Sequence, residues 1–263
     1  MISHLREELD LLLGRYQELG DAAWKDGKMY VPKSSPIRDG VARPEEYLKA
    51  DLKVVWLLKE PYDSGEGVEN DGGWSIVDNC FAEAGDSWER KRKDGSVDRM
   101  WTNRTWQMIA YIMYGFHHKL RYKDMPRVRS QEGRMIMNEL LSIGWINASK
   151  FANKKSSSDA KVFKLFINVW WSLVMEQLNV LMPDVIVCGK TFNCLRHVWR
   201  NDLMRIDDKL PGVRVKCPNV GFWKHKDTYV LDAYHPGRKG CQYANSIINA
   251  LRIIKKVRQP DRS

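Results

Sequence analysis

Residues 51–63 read Asp51-Leu52-Lys53-Val54-Val55-Trp56-Leu57-Leu58-Lys59-Glu60-Pro61-Tyr62-Asp63. Between 52 and 58 the run is nearly continuous in apolar and aromatic side chains, too short for a full helix, and it stops at Lys59-Glu60-Pro61. A short run without polar alternation reads as a strand buried on both faces, the usual condition of a strand in a parallel sheet. Parallel strands need long crossovers, most often helices, so the fold turns on whether helices and short apolar runs alternate along the rest of the chain.

Working outward, they do. Downstream, 101–116 is helical in period, and a further helix is expected over 131–143, followed by Gly144 and a short strand through Trp145, Ile146 and Asn147. After a polar loop with Lys154 and Lys155, a long helix over 159–181 ends before Pro183, and 185–188 is a β-rich run closing on Gly189. A helix over 191–199, strands over 213–217 and 229–233, the turn Tyr234-His235-Pro236-Gly237 and a final helix over 243–256 complete the pattern. Residues 63–98 read as loop with a short helix. Upstream, Leu5, Leu11, Leu12, Leu13, Tyr16 and Leu19 form a helical stripe that Gly20 ends in the C′ position. Residues 27–44 read as an irregular surface segment, and Pro44-Glu45-Glu46 as the first turn of a short helix. The alternation predicts a three-layer α/β/α sandwich with a central, mostly parallel sheet and right-handed crossovers. One domain is expected, its core at about 51–256, preceded by an N-terminal helix and irregular segment over 1–50.

The 263 residues carry a formal charge of +10 and a pI near 9.3, which favours an anionic partner such as nucleic acid, although a solvated basic surface accounts for the charge equally well. The five cysteines (80, 188, 194, 217 and 241) contain no CxxC pair, so no disulfide framework, zinc site or iron–sulfur cluster is expected, nor any other metal or cofactor. The opening residues lack a basic n-region and apolar h-region, and the most apolar stretch, 162–182, is interrupted by Lys164, Asn168, Glu176 and Gln177. The expectation is a cytoplasmic monomer, with no membrane partner.

In a sheet of this kind ligands bind beyond the carboxyl ends of the parallel strands, where loops diverge and helix N-termini point inward. The residues just after each strand therefore matter. They are Lys59-Glu60-Pro61-Tyr62-Asp63, Asn147-Ala148-Ser149, Gly189-Lys190-Thr191 and Tyr234-His235-Pro236-Gly237. A carboxylate, a carboxamide, a backbone nest and an imidazole would converge there.

These segments, in this order, resemble the signature blocks of the uracil-DNA glycosylase superfamily. Lys59-Glu60-Pro61-Tyr62-Asp63 is similar to the family's Gln-Asp-Pro-Tyr-His, with Glu60 in place of the water-positioning Asp. Trp74-Ser75-Ile76-Val77 falls where the family has its Phe-Ser-Val stacking aromatic, and Gly144-Trp145-Ile146-Asn147 looks like the strand whose final Asn reads uracil. Tyr234-His235-Pro236-Gly237-Arg238-Lys239 resembles only the start of His-Pro-Ser-Pro-Leu, because the Leu wedge is missing.

The resemblance implies a DNA glycosylase-like hydrolase of DNA repair, excising uracil or a related base by hydrolysis of the N-glycosidic bond, with DNA a better partner than RNA. Breaking that bond leaves negative charge on the departing base and positive charge on the sugar. His235 would donate to uracil O2, Glu60 would orient water, Tyr62 would exclude thymine, Trp74 would stack on the base and Asn147 would pair with O4 and N3–H. Lys154, Lys190, Arg238 and Lys239 would track the phosphates. Each residue has a plainer role open to it. Glu60 could pair with Lys59 or Arg104, His235 could brace a turn, Asn147 could cap a loop, and Trp74 could belong to the core. The Glu and Gly replacements also suit a non-catalytic nucleic-acid or nucleotide-binding member of the fold, and the missing wedge suits an enzyme of free nucleosides or nucleotides.

Overall fold

The computed structural model describes residues 2–25, 36–59, 75–82, 85, 87–91, 95–150, 160–206, 220–237 and 239–259. Along the chain run α1 (Ile2–Lys25), β1 (Gly40–Val41), α2 (Pro44–Lys49), β2 (Val54–Leu58), β3 (Glu89–Lys91), β4 (Val97–Arg99), α3 (Arg104–His117), α4 (Gln131–Arg134), β5 (Gly144–Asn147), α5 (Ala160–Leu181), β6 (Val185–Gly189), α6 (Phe192–Trp199), β7 (Met204–Arg205), β8 (Gly221–His225), β9 (Thr228–Ala233) and α7 (Cys241–Arg258). A π-helical turn covers Ile76–Ala82 and a 3-10 stretch covers Met135–Leu141.

Seven strands form one sheet in the order β1-β5-β2-β6-β9-β8-β7. Its centre, β5-β2-β6-β9, is parallel, while β1, β8 and β7 add antiparallel edges. Alternation along the strands divides the core in two. Val54, Trp56, Leu58, Trp145, Val187 and Leu231 face α3, the 3-10 stretch and α7. Val55, Leu57, Ile146, Ile186 and Val230 face α1, α5 and α6. Helices thus cover both faces, which is why every residue of β2 and β6 is apolar or glycine and buried.

Several readings need correction. Helix α1 runs through Gly20 to Lys25; the cost of an interior glycine, about 1 kcal/mol, is outweighed by the burial of Leu5, Leu12 and Tyr16. The short helix expected from Pro44 is α2. Gly40–Val41, expected as irregular surface chain, instead extends the sheet as β1, because the edge of β5 offers free ladder groups and Ile37, Asp39 and Val41 all bury their side chains. Arg90 and Lys91 lie in a two-stranded ribbon rather than a loop, with Arg90 paired to Asp98 at 3.2 Å. Strand β8 went unread because its hairpin to β9 turns on Lys226-Asp227, without the Asn-Gly cue; Lys226 takes the positive φ of 51° that the first position of such a turn demands. The sheet is mostly parallel, as expected, with β1, β8 and β7 as antiparallel additions at its edges. The expected strand over 213–217 lies outside the described residues. Among those described, no helix is long and apolar enough to cross a membrane.

Candidate functional site

From β2 the chain crosses to β5 on one side, then returns over β2 to β6 on the other. This reversal puts a topological switch point between β2 and β6, the place beyond whose carboxyl ends such sheets bind ligands. Packing holds that end of the sheet together tightly. A Cβ on Gly189 would stand 2.4 Å from Leu58 Cδ2 and 3.4 Å from Pro236 Cδ, so only glycine lets the ends of β2 and β6 and the His235-Pro236 turn meet. Thr191 Oγ1 donates to the Leu57 carbonyl at 2.7 Å, tying the start of α6 to β2. Ser149 N–H donates to the Lys59 carbonyl at 2.8 Å, tying the loop after β5 to the residue before Glu60.

His235 sits in this convergence, half-buried. Its Nδ1 accepts the Gly237 backbone N–H at 3.2 Å, which leaves the proton of the neutral ring on Nε2. Tyr243 of α7 donates its hydroxyl to the Tyr234 carbonyl at 2.5 Å, and a Cβ on Gly237 would stand 3.0 Å from Thr105 Oγ1, so helices α7 and α3 brace the turn from two directions. Burial pushes the imidazole pKa below 6.5, and the charges of Lys59, Lys190 and Lys239 push it further the same way. The ring is therefore a neutral N–H donor surrounded by cations.

Asn147 ends β5, opposite Leu58 of β2. By strand alternation its side chain shares a face with Trp145, Leu58 and Ala233, and so lies on the side from which His235 follows. It is 2% exposed, and its Nδ2 has no hydrogen-bond partner among the described residues. A loop-capping role does not use that donor. Nearby, Ser75 forms a parallel bridge with Arg38, and Ile76 N–H donates to the Arg38 carbonyl at 2.9 Å, so the segment that follows Trp74 runs beside the same corner.

Behind the Asn147 backbone lies a polar cluster that the sequence reading missed. Lys150 Nζ contacts both oxygens of Asp39, at 2.7 and 2.6 Å. The carboxylate also accepts the Asn147 backbone N–H at 2.7 Å and Gln177 Nε2 at 2.8 Å. Both charged side chains are 1% exposed. Burial lowers the Lys150 pKa, and Asp39 opposes that shift. The Lys150 ammonium also stands 5.2 Å from the centre of the Tyr16 ring. Asp39 thus joins the segment before β1, the end of β5 and helix α5 at the residue that presents Asn147.

Of the sequence-predicted site residues, His235, Asn147, Lys190 and Lys239 gather at this end of the sheet. Glu60, Tyr62, Trp74, Lys154 and Arg238 lie outside the described residues. Lys239 rests its ammonium 4.4 Å from the centre of the exposed Tyr234 ring. No family model, curated protein or solved structure matches the chain. What the site can do follows from its groups. A neutral imidazole N–H amid lysines suits an oxygen on which negative charge develops, and a buried amide donor suits a carbonyl held beside it.

Proposed function

We propose that this protein is an N-glycosylase that hydrolyses the bond between uracil, or a related base, and the sugar of a nucleic acid. The reading is supported above all by His235, a neutral ring with its donor on Nε2 and three lysines close enough to depress its pKa. As the glycosidic bond breaks, the base leaves with negative charge on its oxygen. A preorganised donor there is worth about 10²–10³ in rate, and the lysines stabilise the same charge while holding the ring unprotonated. Asn147, on the same face and with a donor unspent, supplies the polar edge that reads a pyrimidine carbonyl. Glu60 would orient water beneath the sugar. Lys190 and Lys239 are exposed at the rim, where phosphates would pass.

The test is to incubate the protein with uracil-containing single-stranded and duplex DNA and score alkali-labile breaks. Breaks are expected with the unaltered protein, and a loss of about 10²–10³ in rate with His235→Ala. Salt-sensitive binding without base release would instead make the chain a non-catalytic nucleic-acid-binding protein; release from free nucleosides alone would make it a nucleoside hydrolase.

A further inference from the structure

Next to the His235 turn, on the α6 side, the ends of β6, β8 and β9 border a half-open cavity of about 400 Å³. Its walls carry Lys190, Asn193, Arg205, Asp232 and Tyr234 over an apolar floor that includes Phe192. The volume is that of a small-molecule site, and its lining is as polar as it is apolar. Gly221, directly opposite Asp232 in the β8–β9 pairing, keeps the space open. A Cβ there would stand 3.9 Å from Asp232 Oδ2 and 3.3 Å from Trp223 Nε1.

Asp232 is the informative wall. Its side chain is half-buried and makes no hydrogen bond or ion pair among the described residues. Such a carboxylate takes its donors from whatever fills the cavity, water or a ligand. Burial accordingly raises its pKa, with Arg196 on α6 opposing the shift through space. At the rim, Tyr234 is 51% exposed and carries an aromatic face. Lys190 lines this cavity and also acts on His235, so one cation borders both sites.

We propose that the cavity holds the nucleotide next to the one whose base lies at His235, with Asp232 accepting from the Watson–Crick edge of a guanine, Tyr234 stacking on the ring, and Lys190 and Arg205 facing the phosphates. Guanine is the base that presents two adjacent N–H donors on that edge, N1–H and the exocyclic amine, which match the two oxygens of a carboxylate. Adenine and cytosine present one donor beside an acceptor, and uracil and thymine set a single donor between two oxygens. The inference rests on the glycosylase reading only for which strand neighbour is meant, since the cavity is a nucleotide site whether or not a base is released next door.

The experiment titrates isotope-labelled protein with 5′-GMP, 5′-UMP and a trinucleotide carrying dG beside dU, following the backbone amides of Phe192, Gly221 and Ala233 by NMR. GMP is expected to shift these amides and to bind on the order of tenfold more tightly than UMP, the discrimination that one bidentate base contact supplies. Asp232→Asn should erase that preference without unfolding the protein, because the two side chains have the same shape. Tyr234→Ala should weaken both mononucleotides together. The inference is overturned if GMP and UMP bind equally, if the preference survives in Asp232→Asn, or if the shifts cluster only at Asn147 and His235. A trinucleotide that binds no more tightly than GMP overturns the strand placement. GMP in the cavity together with no uracil release from any DNA keeps the subsite and removes the glycosylase. Uracil release at equal rates beside dG and dT, with no cavity shifts, does the reverse.

Discussion

Replacing Asp39 by asparagine probes the feature that holds Asn147 in place. In the folded protein Asp39 and Lys150 are each 1% exposed, and the carboxylate accepts from Lys150 Nζ, Gln177 Nε2 and the Asn147 N–H. Asp39→Asn leaves the Lys150 ammonium buried without its counter-charge and offers an amide nitrogen where an acceptor stood. Removing one partner of a buried pair costs about 3–5 kcal/mol, a large part of the roughly 5–15 kcal/mol that holds a domain folded. Lys150→Met strands the carboxylate and should cost a similar amount. The double replacement Asp39→Asn with Lys150→Met removes both charges while the amide oxygen at position 39 still accepts from the Asn147 N–H, so it should cost much less than the sum of the singles. Urea denaturation of the four proteins at pH 7 measures this directly. A loss under about 1 kcal/mol for Asp39→Asn, or strict additivity in the double variant, would refute the reasoning, since neither fits a pair isolated from water.

Three further outcomes are expected. Because the folded His235 ring titrates below 6.5, the unfolded chain takes up a proton first as pH falls; His235 therefore costs stability below pH 6.5, while the neutral donor persists until the lower, folded pKa is crossed. The acid limb of kcat/KM should lie below pH 6.5 and move toward it in Lys190→Ala, and a wild-type limb at or above 6.5 would contradict this. Gly189→Val forces atoms into a space where a Cβ alone would meet Leu58 Cδ2 at 2.4 Å, so it should cost about 1–3 kcal/mol in urea denaturation and slow base release by shifting the Pro236 turn. Lys190→Ala and Lys239→Ala should each reduce the slope of log affinity for DNA against log salt by about 0.7–0.9, read by fluorescence anisotropy from low to moderate ionic strength.

The centre of the fold was legible because its strands are unambiguous in sequence. Val54–Leu58, Gly144–Asn147, Val185–Gly189 and Thr228–Ala233 are short, mostly apolar runs that end in Gly or Asn or three residues before Pro, and all four pair in parallel. What lay at the edges was not. Gly40–Val41 sits in a stretch of Gly, Pro, Ser and charge, and only the free edge of β5 makes it a strand. Gly221–His225 mixes aromatic and basic residues, and pairing with β9, not apolar patterning, fixes it. The same division holds for the site. His235 and Asn147 stood out because each directly follows or ends a legible strand. Asp39 and Lys150 are 111 residues apart in sequence; an Asp before Gly reads as a turn, a Lys in a polar loop reads as solvated, and nothing local reveals that folding buries them against each other. Asp232 was hidden for a related reason, as a single polar position in an apolar strand whose opposite neighbour, Gly221, belonged to the strand that went unread.

The central claim is that one base-sized site at the carboxyl end of the sheet is shared by Asn147 and His235, and a crystal structure of the protein with uracil bound tests it most directly. The account predicts the ring seated beyond β2 and β6, its O2 accepting from His235 Nε2 and its N3–H and O4 edge against the Asn147 carboxamide. Uracil bound on another surface, or seated there with His235 and Asn147 both turned away from it, would contradict the account.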